Sequence, residues 1–431
     1  MRNHFLRRTQ KFYPEKFDDF KLRALHWASQ FSHTSYFCPN NLNYLFDPFL
    51  HFIAADAHST LQADSNKSFE SVQQYHQQTR DWLIGNFTYD LKNEVEALES
   101  SHSDLIGFDP ISFYQPRHLI FFFSGFIEIQ TFDDPTAVFE AITLTTLPEQ
   151  INKPNLSTEV KQKVSRASYL ENVKQIRQEI ENGEVYELNY CIEFSGNNPD
   201  FDPYDAFQRL NSISPMPFAV FQKLNDKFLI CASPERFLKK TGDKIISQPI
   251  KGTIARGKNQ SEDEALKNRL RNSEKERAEN MMIVDLVRND LARSGIPGSI
   301  KVEEIFGIYT YKYIHQMVST ITAQAQPNLP FSEIIKYAFP MGSMTGAPKV
   351  SAMKIIELLE ETKRGLFSGA AGYIKPNGDF DFNVVIRSIL FNQTSGNLSF
   401  QVGSAITYDS TPEEEYEEVL LKASAIFNIL K

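Results

Sequence analysis

Cysteine is scarce in this chain of 431 residues, which holds only Cys38, Cys191 and Cys231. The three are widely spaced, form no C-x-x-C and cannot all pair. That argues against a disulfide scaffold or redox pair, and suits a reducing compartment with each thiol filling a core position. Cationic excess is missing too: 45 lysines and arginines stand against 54 acidic residues, a formal net charge of −9. This is the wrong balance for tracking nucleic-acid phosphates, and a small-molecule or protein partner fits better. The longest apolar run, residues 119–123 with Phe126 and Ile127 beyond, falls far short of the roughly 20 residues of a spanning helix and reads as a buried strand. Arg2, Arg7 and Arg8 are followed by no continuous apolar stretch, so the N-terminus does not read as a signal peptide, and a cytoplasmic protein is expected. The nine histidines and three cysteines show no zinc-ligand spacing.

What is present is an ordinary globular composition, 41% hydrophobic and 23% charged, in a chain long enough for one large two-layer domain or two closely packed ones. Residues 145–165 turn polar, with Pro148, Asn152, Pro154, Asn155 and Ser157, the composition of a connection. The expected organisation is therefore a region 1–160 without a chemical motif, packed on a region 161–431 that carries the chemistry. In the second region Ser168 and Glu171 read as a capping box for a helix ending at Gly183. Strands are expected at 186–194, 218–222 and 228–231. Asn377-Gly378, between apolar runs 370–374 and 380–391, is a strong hairpin signal, and 394–397 turns into a further strand at 398–402. Hairpins imply antiparallel pairing, so the expected class is α+β, with large, mainly antiparallel sheets and helices outside.

Glu276 and Glu279 lie three apart at a helix start, on one face. The plain alternative is a capping box of Ser273 with Glu276. Glu415 and Glu418 repeat the spacing in the last helix, begun by Thr411 and Pro412, where a solvent face with a Glu418–Lys422 ion pair is the alternative. Together the two pairs would offer hard oxygen ligands for Mg²⁺, which takes one or two carboxylates directly and keeps waters or an anionic substrate. The run GSMTGAPK at 342–349 places two glycines and a proline before a helix, a turn able to aim backbone N–H groups at an anion, or simply a structural cap. Arg387 lies in an apolar strand, on its polar face by alternation. It is either a surface residue or a bidentate carboxylate clamp.

These runs closely resemble the chorismate-utilising enzymes: the first components of anthranilate synthase and aminodeoxychorismate synthase, and the isochorismate and salicylate synthases. The resemblance spans roughly residues 165–431 and rests on SPERF at 233–237, PIKGT at 249–253, ENMMIVDLVRND at 279–290, HQMVST at 315–320, GSMTGAPK at 342–349 and Ile386-Arg387. It implies two deeply twisted antiparallel sheets packed face to face, with Mg²⁺ and chorismate between them. It implies Glu279 and Glu418 as metal ligands, supported by Glu276 and Glu415. Thr253, Thr345, Gly346, Arg387, Gly403 and Lys422 are the implied substrate contacts, with His315 beside the ring.

In this family the middle of PIxGT is commonly alanine in anthranilate-forming members and lysine in those forming aminodeoxychorismate. Here it is Lys251, which implies the aminating branch, with Lys251 as nucleophile and Glu235 as general acid. A neutral amine is required, and an unperturbed lysine with a pKa near 10.4 is neutral in only about one molecule in a thousand at neutral pH. Burial or a nearby Mg²⁺ is expected to lower it. Where the salicylate and isochorismate branch carries a water-activating lysine, this chain has Glu187, which disfavours water addition. The glycine-rich run before the last helix is replaced by Val402-Gly403-Ser404-Ala405-Ile406, so Ser404 and Ala405 are expected to displace backbone contacts. The N-terminal third matches the family poorly. No cysteine has a glutamine-hydrolase context, so ammonia is expected from a separate glutamine amidotransferase subunit. The competing readings are the first component of anthranilate synthase and a noncatalytic chorismate-binding homologue.

Overall fold

Phe218–Leu224 and Lys227–Ser233, almost wholly buried, pair antiparallel across a tight turn at Asn225-Asp226 and form the middle of one sheet. On one side Phe218–Leu224 pairs with His33–Cys38, followed by Phe52–Thr60, Ile111–Phe123 and Phe126–Thr131. On the other, Lys227–Ser233 pairs with Ser388–Asn392, then Asn397–Ile406 and Glu187–Asn197. The second sheet runs Leu83–Phe87, Ala370–Ile374, Phe380–Val384, Arg236–Thr241, Lys244–Gln248 and Ile314–Gln324, with Ile250–Ala255 and Lys301–Thr310 also pairing to the last. The two join where Ile111–Phe123 pairs with Leu83–Phe87. They meet face to face: buried Asn86 donates to Gln222 at 3.1 Å, and Asn383 to the Phe218 carbonyl at 2.9 Å. Strands from both sides of residue 160 thus share sheets and one apolar core. This computed structural model describes residues 6–63, 66–147 and 156–431, so part of the polar connection at 145–165 lies outside the described residues. Among the described residues every named strand pairing is antiparallel, which is the expected α+β architecture.

Helices cover the sheets. Pro412–Leu430 buries Tyr416, Val419, Ala423 and Ile426, a stripe at three- and four-residue spacing that is the core-facing side of an amphipathic helix. Glu274–Ala292 likewise buries Ile283, Val284, Val287 and Leu291. Among the described residues no helix is long and apolar enough to cross a membrane. All three cysteines are buried and free.

Three local expectations change. Ser165, not Ser168, caps its helix: its hydroxyl accepts from the Ser168 N–H at 3.1 Å and the helix is Arg166–Glu181. Ser168 occupies the third helical position, because the more N-terminal serine already satisfies that donor. The Asn377-Gly378 hairpin forms, but the run 380–391 is two strands. The chain leaves the second sheet after Val384 and enters the first at Ser388, bending at Arg387 with φ of 53°. Residues 342–349 are no open turn: Gly346–Ala347 is a short strand paired with Glu187 and Leu188. A Cβ at Gly346 would collide with the Glu187 carbonyl, so only glycine permits this approach.

Candidate active site between the sheets

Lys251 lies on Ile250–Ala255, whose pairing with Ile314–Gln324 is irregular between Ile250 and Thr253. Gly252 absorbs the irregularity with φ of 92°, and a Cβ there would lie 2.9 Å from Glu276 Oε2, so the strand is pressed against helix Glu274–Ala292. The Lys251 side chain is only 8% exposed and its ammonium donates to Glu187 Oε1. Glu187 opens a strand of the other sheet, so this pair bridges the sheets. Burial by itself would lower the Lys251 pKa, as expected, but the carboxylates of Glu187, Glu279 and Glu235 outweigh it and the net shift is upward. The protein alone therefore holds Lys251 as an ammonium, the reverse of the expected depression. Attraction from neighbouring carboxylates here exceeds desolvation.

Glu235 sits where the chain crosses from Lys227–Ser233 in the first sheet to Arg236–Thr241 in the second. It is 4% exposed. Burial pushes its carboxyl up to about 7, with the Ser343 hydroxyl and Lys251 pulling the other way. That is the profile of a carboxylic acid able to hold a proton near neutrality. A small pocket borders Glu235, Gly342 and Ser343 and extends to Asp290, which holds Lys349 at 2.8 Å. Lys251 does not line it, so this space backs Glu235 and is not where the lysine would meet a ring.

The two helix-borne pairs face each other within electrostatic reach. Ser273 does cap the first helix, accepting from the Glu276 N–H at 3.4 Å, while the Glu276 carboxylate remains available. Glu279 is pushed up to about 7 by burial, with Lys251 opposing and Glu187 and Glu276 adding. Glu276 is raised by burial and by Glu418 across the gap. Glu415 is buried and accepts from Ser410 at 2.7 Å. Burial alone would raise Glu418, but Lys422, paired with it at 2.5 Å, brings it below its ordinary value. Among the described residues no three acidic, histidine or cysteine side chains already converge on one point. Glu276, Glu279, Glu415 and Glu418 nonetheless offer the hard carboxylate oxygens that Mg²⁺ prefers.

Arg387 and Lys422 form the adjoining corner. The Arg387 guanidinium donates to the Lys422 carbonyl at 2.8 Å, and the Lys422 ammonium donates to the Gly403 carbonyl at 3.1 Å. Burial pulls Arg387 down to about 10, with Glu418 offsetting part of that. It remains a cation at neutral pH, set at the crossover between sheets and not on a polar strand face. Gly403 is packed so tightly against Cys191 and Tyr190 that a Cβ would overlap them. Ser404 does not intrude: it is buried on the opposite face, its hydroxyl 3.1 Å from that of Tyr169.

Thr345 is buried, with its hydroxyl donating back to the Met341 carbonyl at 3.2 Å, and its own carbonyl accepts from the Asn189 N–H at 2.8 Å. Thr253 accepts from Gln316 at 3.3 Å. His315 is fully buried, with Nε2 2.9 Å from Asp263 and Nδ1 2.9 Å from the Thr310 hydroxyl. Both ring nitrogens are thus occupied by the protein. Sequence reasoning missed Glu187 as partner of Lys251. It also missed Arg364, which donates to the Met344 and Asn189 carbonyls and so holds the 342–347 segment to its strand. Neither has a local signal, because the partners are far apart in the chain.

The family described as chorismate binding enzyme matches residues 24–428. The match thus extends into the N-terminal third, beyond the motifs at 165–431. Aminodeoxychorismate synthase component 1 of Bacillus subtilis (strain 168) is 34% identical over 387 residues, covering 86% of this chain and 80% of that protein. The protein of the same name from Escherichia coli (strain K12) is 37% identical over 276 residues, 64% of this chain and 60% of that one. The crystal structure of anthranilate synthase component I from Streptococcus pneumoniae TIGR4 superposes with a TM-score of 0.75 at 22% identity, covering 98% of this chain and 92% of that one. At that identity the likeness concerns the fold alone.

Proposed function

The chain belongs to the chorismate-binding enzyme family, and on that premise we propose that it is the synthase component that converts chorismate and ammonia to 4-amino-4-deoxychorismate, for 4-aminobenzoate and folate synthesis in the cytoplasm. The observation that carries the reading is Lys251, buried at the centre of PIKGT and held by Glu187 within reach of the Glu235 charge. The names of the Bacillus subtilis and Escherichia coli relatives support the same product. Every residue assigned a role lies within region 161–431.

Arg387 and Lys422 hold the carboxylates of chorismate. Glu187 takes the proton that Lys251 must lose. The amine then forms a bond to C2 of the ring while the C4 hydroxyl departs as water with the proton of Glu235. Ammonia next adds at C4 and the bond to Lys251 breaks, releasing the product and the free lysine. Thr253, His315, Thr345, Gly346 and Gly403 shape the walls. Glu279 and Glu418, backed by Glu276 and Glu415, would hold Mg²⁺, whose charge would bind the substrate carboxylate and favour the neutral amine of Lys251. Ammonia comes from a partner component, a glutamine amidotransferase.

The test is product identity. Incubated with chorismate, Mg²⁺ and ammonium, the chain is expected to form a compound that becomes 4-aminobenzoate only when a lyase is added. Formation of fluorescent anthranilate would overturn the reading, as would unconsumed chorismate. Glutamine is expected to replace ammonium only once the amidotransferase is supplied.

A further inference from the structure

One cation of the site has no part in this chemistry. Lys275 is the second residue of helix Glu274–Ala292, a position where a positive charge opposes the helix dipole, so helix stability does not explain it. Its ammonium lies 3.7 Å from Glu415 Oε1 and 4.0 Å from Glu279 Oε1, one carboxylate from each helix of the cluster. Both distances exceed a hydrogen bond. Lys422, by contrast, is locked to Glu418 at 2.5 Å and to the Gly403 carbonyl at 3.1 Å. The Lys275 side chain is also 49% exposed, while the Glu415 and Glu279 side chains are 3% and 11% exposed. A long flexible cation thus reaches in from solvent, touches both halves of a carboxylate cluster and is bound tightly by neither.

We infer that Lys275 is a tethered counter-ion of the Glu276, Glu279, Glu415 and Glu418 cluster, which a divalent cation displaces into solvent. This rests on the reading of the cluster as the Mg²⁺ site. Lys275 neutralises the carboxylates while the cation is absent and competes with it when it arrives. It thereby weakens metal binding to the substrate-free protein and favours joint entry of metal and the anionic substrate. The residue sets affinity and does not touch the reacting atoms.

Mn²⁺ binding to the full chain, followed by electron paramagnetic resonance of the free ion without chorismate, tests this. Lys275→Gln is expected to bind Mn²⁺ on the order of ten-fold more tightly than the unmodified chain, as removal of one nearby positive charge predicts, and to melt at lower temperature until Mn²⁺ is added. Lys275→Arg, which keeps the charge, is expected to behave as the unmodified chain does. Affinity in Lys275→Gln equal to or weaker than that of the unmodified chain overturns the inference while leaving the metal site standing. Mn²⁺ binding by none of the three, or binding unaffected by Glu279→Gln, overturns the metal-site reading and the inference with it.

Discussion

Arg236–Asp381 and Lys251–Glu187 are both buried cation–carboxylate pairs, and they are completed in opposite ways. Arg236 reaches both oxygens of Asp381, at 2.9 and 3.0 Å, bonds to Gln248 and the Asp47 carbonyl, and lies 4.7 Å from the centre of the Phe218 ring. Its fork is satisfied within the protein. Lys251 has one hydrogen-bonded carboxylate and several more within electrostatic reach, so negative charge is left over around it. A saturated pair has nothing further to bind and serves the fold. An unbalanced pair has charge to give to a ligand.

The largest expected effect that would break this contrast comes from Lys251→Ala. Turnover of chorismate should fall by about a thousand-fold or more. Glu187 loses its partner, but the cost in stability should stay below that of a saturated pair, because Glu279 beside it can take up a proton at a value of about 7 and relieve the excess charge. Intact-mass measurement with chorismate and Mg²⁺ but no ammonia should show an adduct that this substitution abolishes. Arg236→Met should do the opposite. It should cost about 3–5 kcal/mol of stability in denaturant unfolding by leaving Asp381 unpaired, with activity per folded molecule largely kept. Equal loss of stability in both variants would erase the distinction.

Glu235→Gln sharpens it. Turnover should fall by about 10²–10⁴-fold, and the alkaline decline of the pH profile, set by a group at about 7, should vanish. The stability sign follows from the same raised value. Since the folded carboxyl binds its proton more tightly than the unfolded one, at 4.5, stability is lost as pH rises between the two. Removing the group should therefore stabilise the chain by about 1–3 kcal/mol well above pH 7 and do little below the lower value. A variant less stable at alkaline pH would show that the charged form is welcomed. The smallest effect belongs to Ser404→Ala, which removes the contact with Tyr169. It should cost about 1 kcal/mol in thermal unfolding and leave turnover and KM unchanged. A raised KM would place Ser404 in the site.

Much of this protein is local and was readable from its residues. The three-residue spacing of Glu276 with Glu279, and of Glu415 with Glu418, puts each pair on one helix face wherever the helix lies. Asn377-Gly378 demands a hairpin, and the runs around Glu235, Lys251 and Thr345 identify a family whatever the partners. What tertiary structure decided is charge and direction. Glu187 meets Lys251 across the sheets and reverses the expected pKa shift. Glu235 and Arg387 gain their positions where the chain changes sheets, and Lys275 finds carboxylates on two helices. Helix and strand periodicity are properties of neighbouring residues, but electrostatic balance in a buried site depends on which distant groups share it, and only the folded chain brings those together.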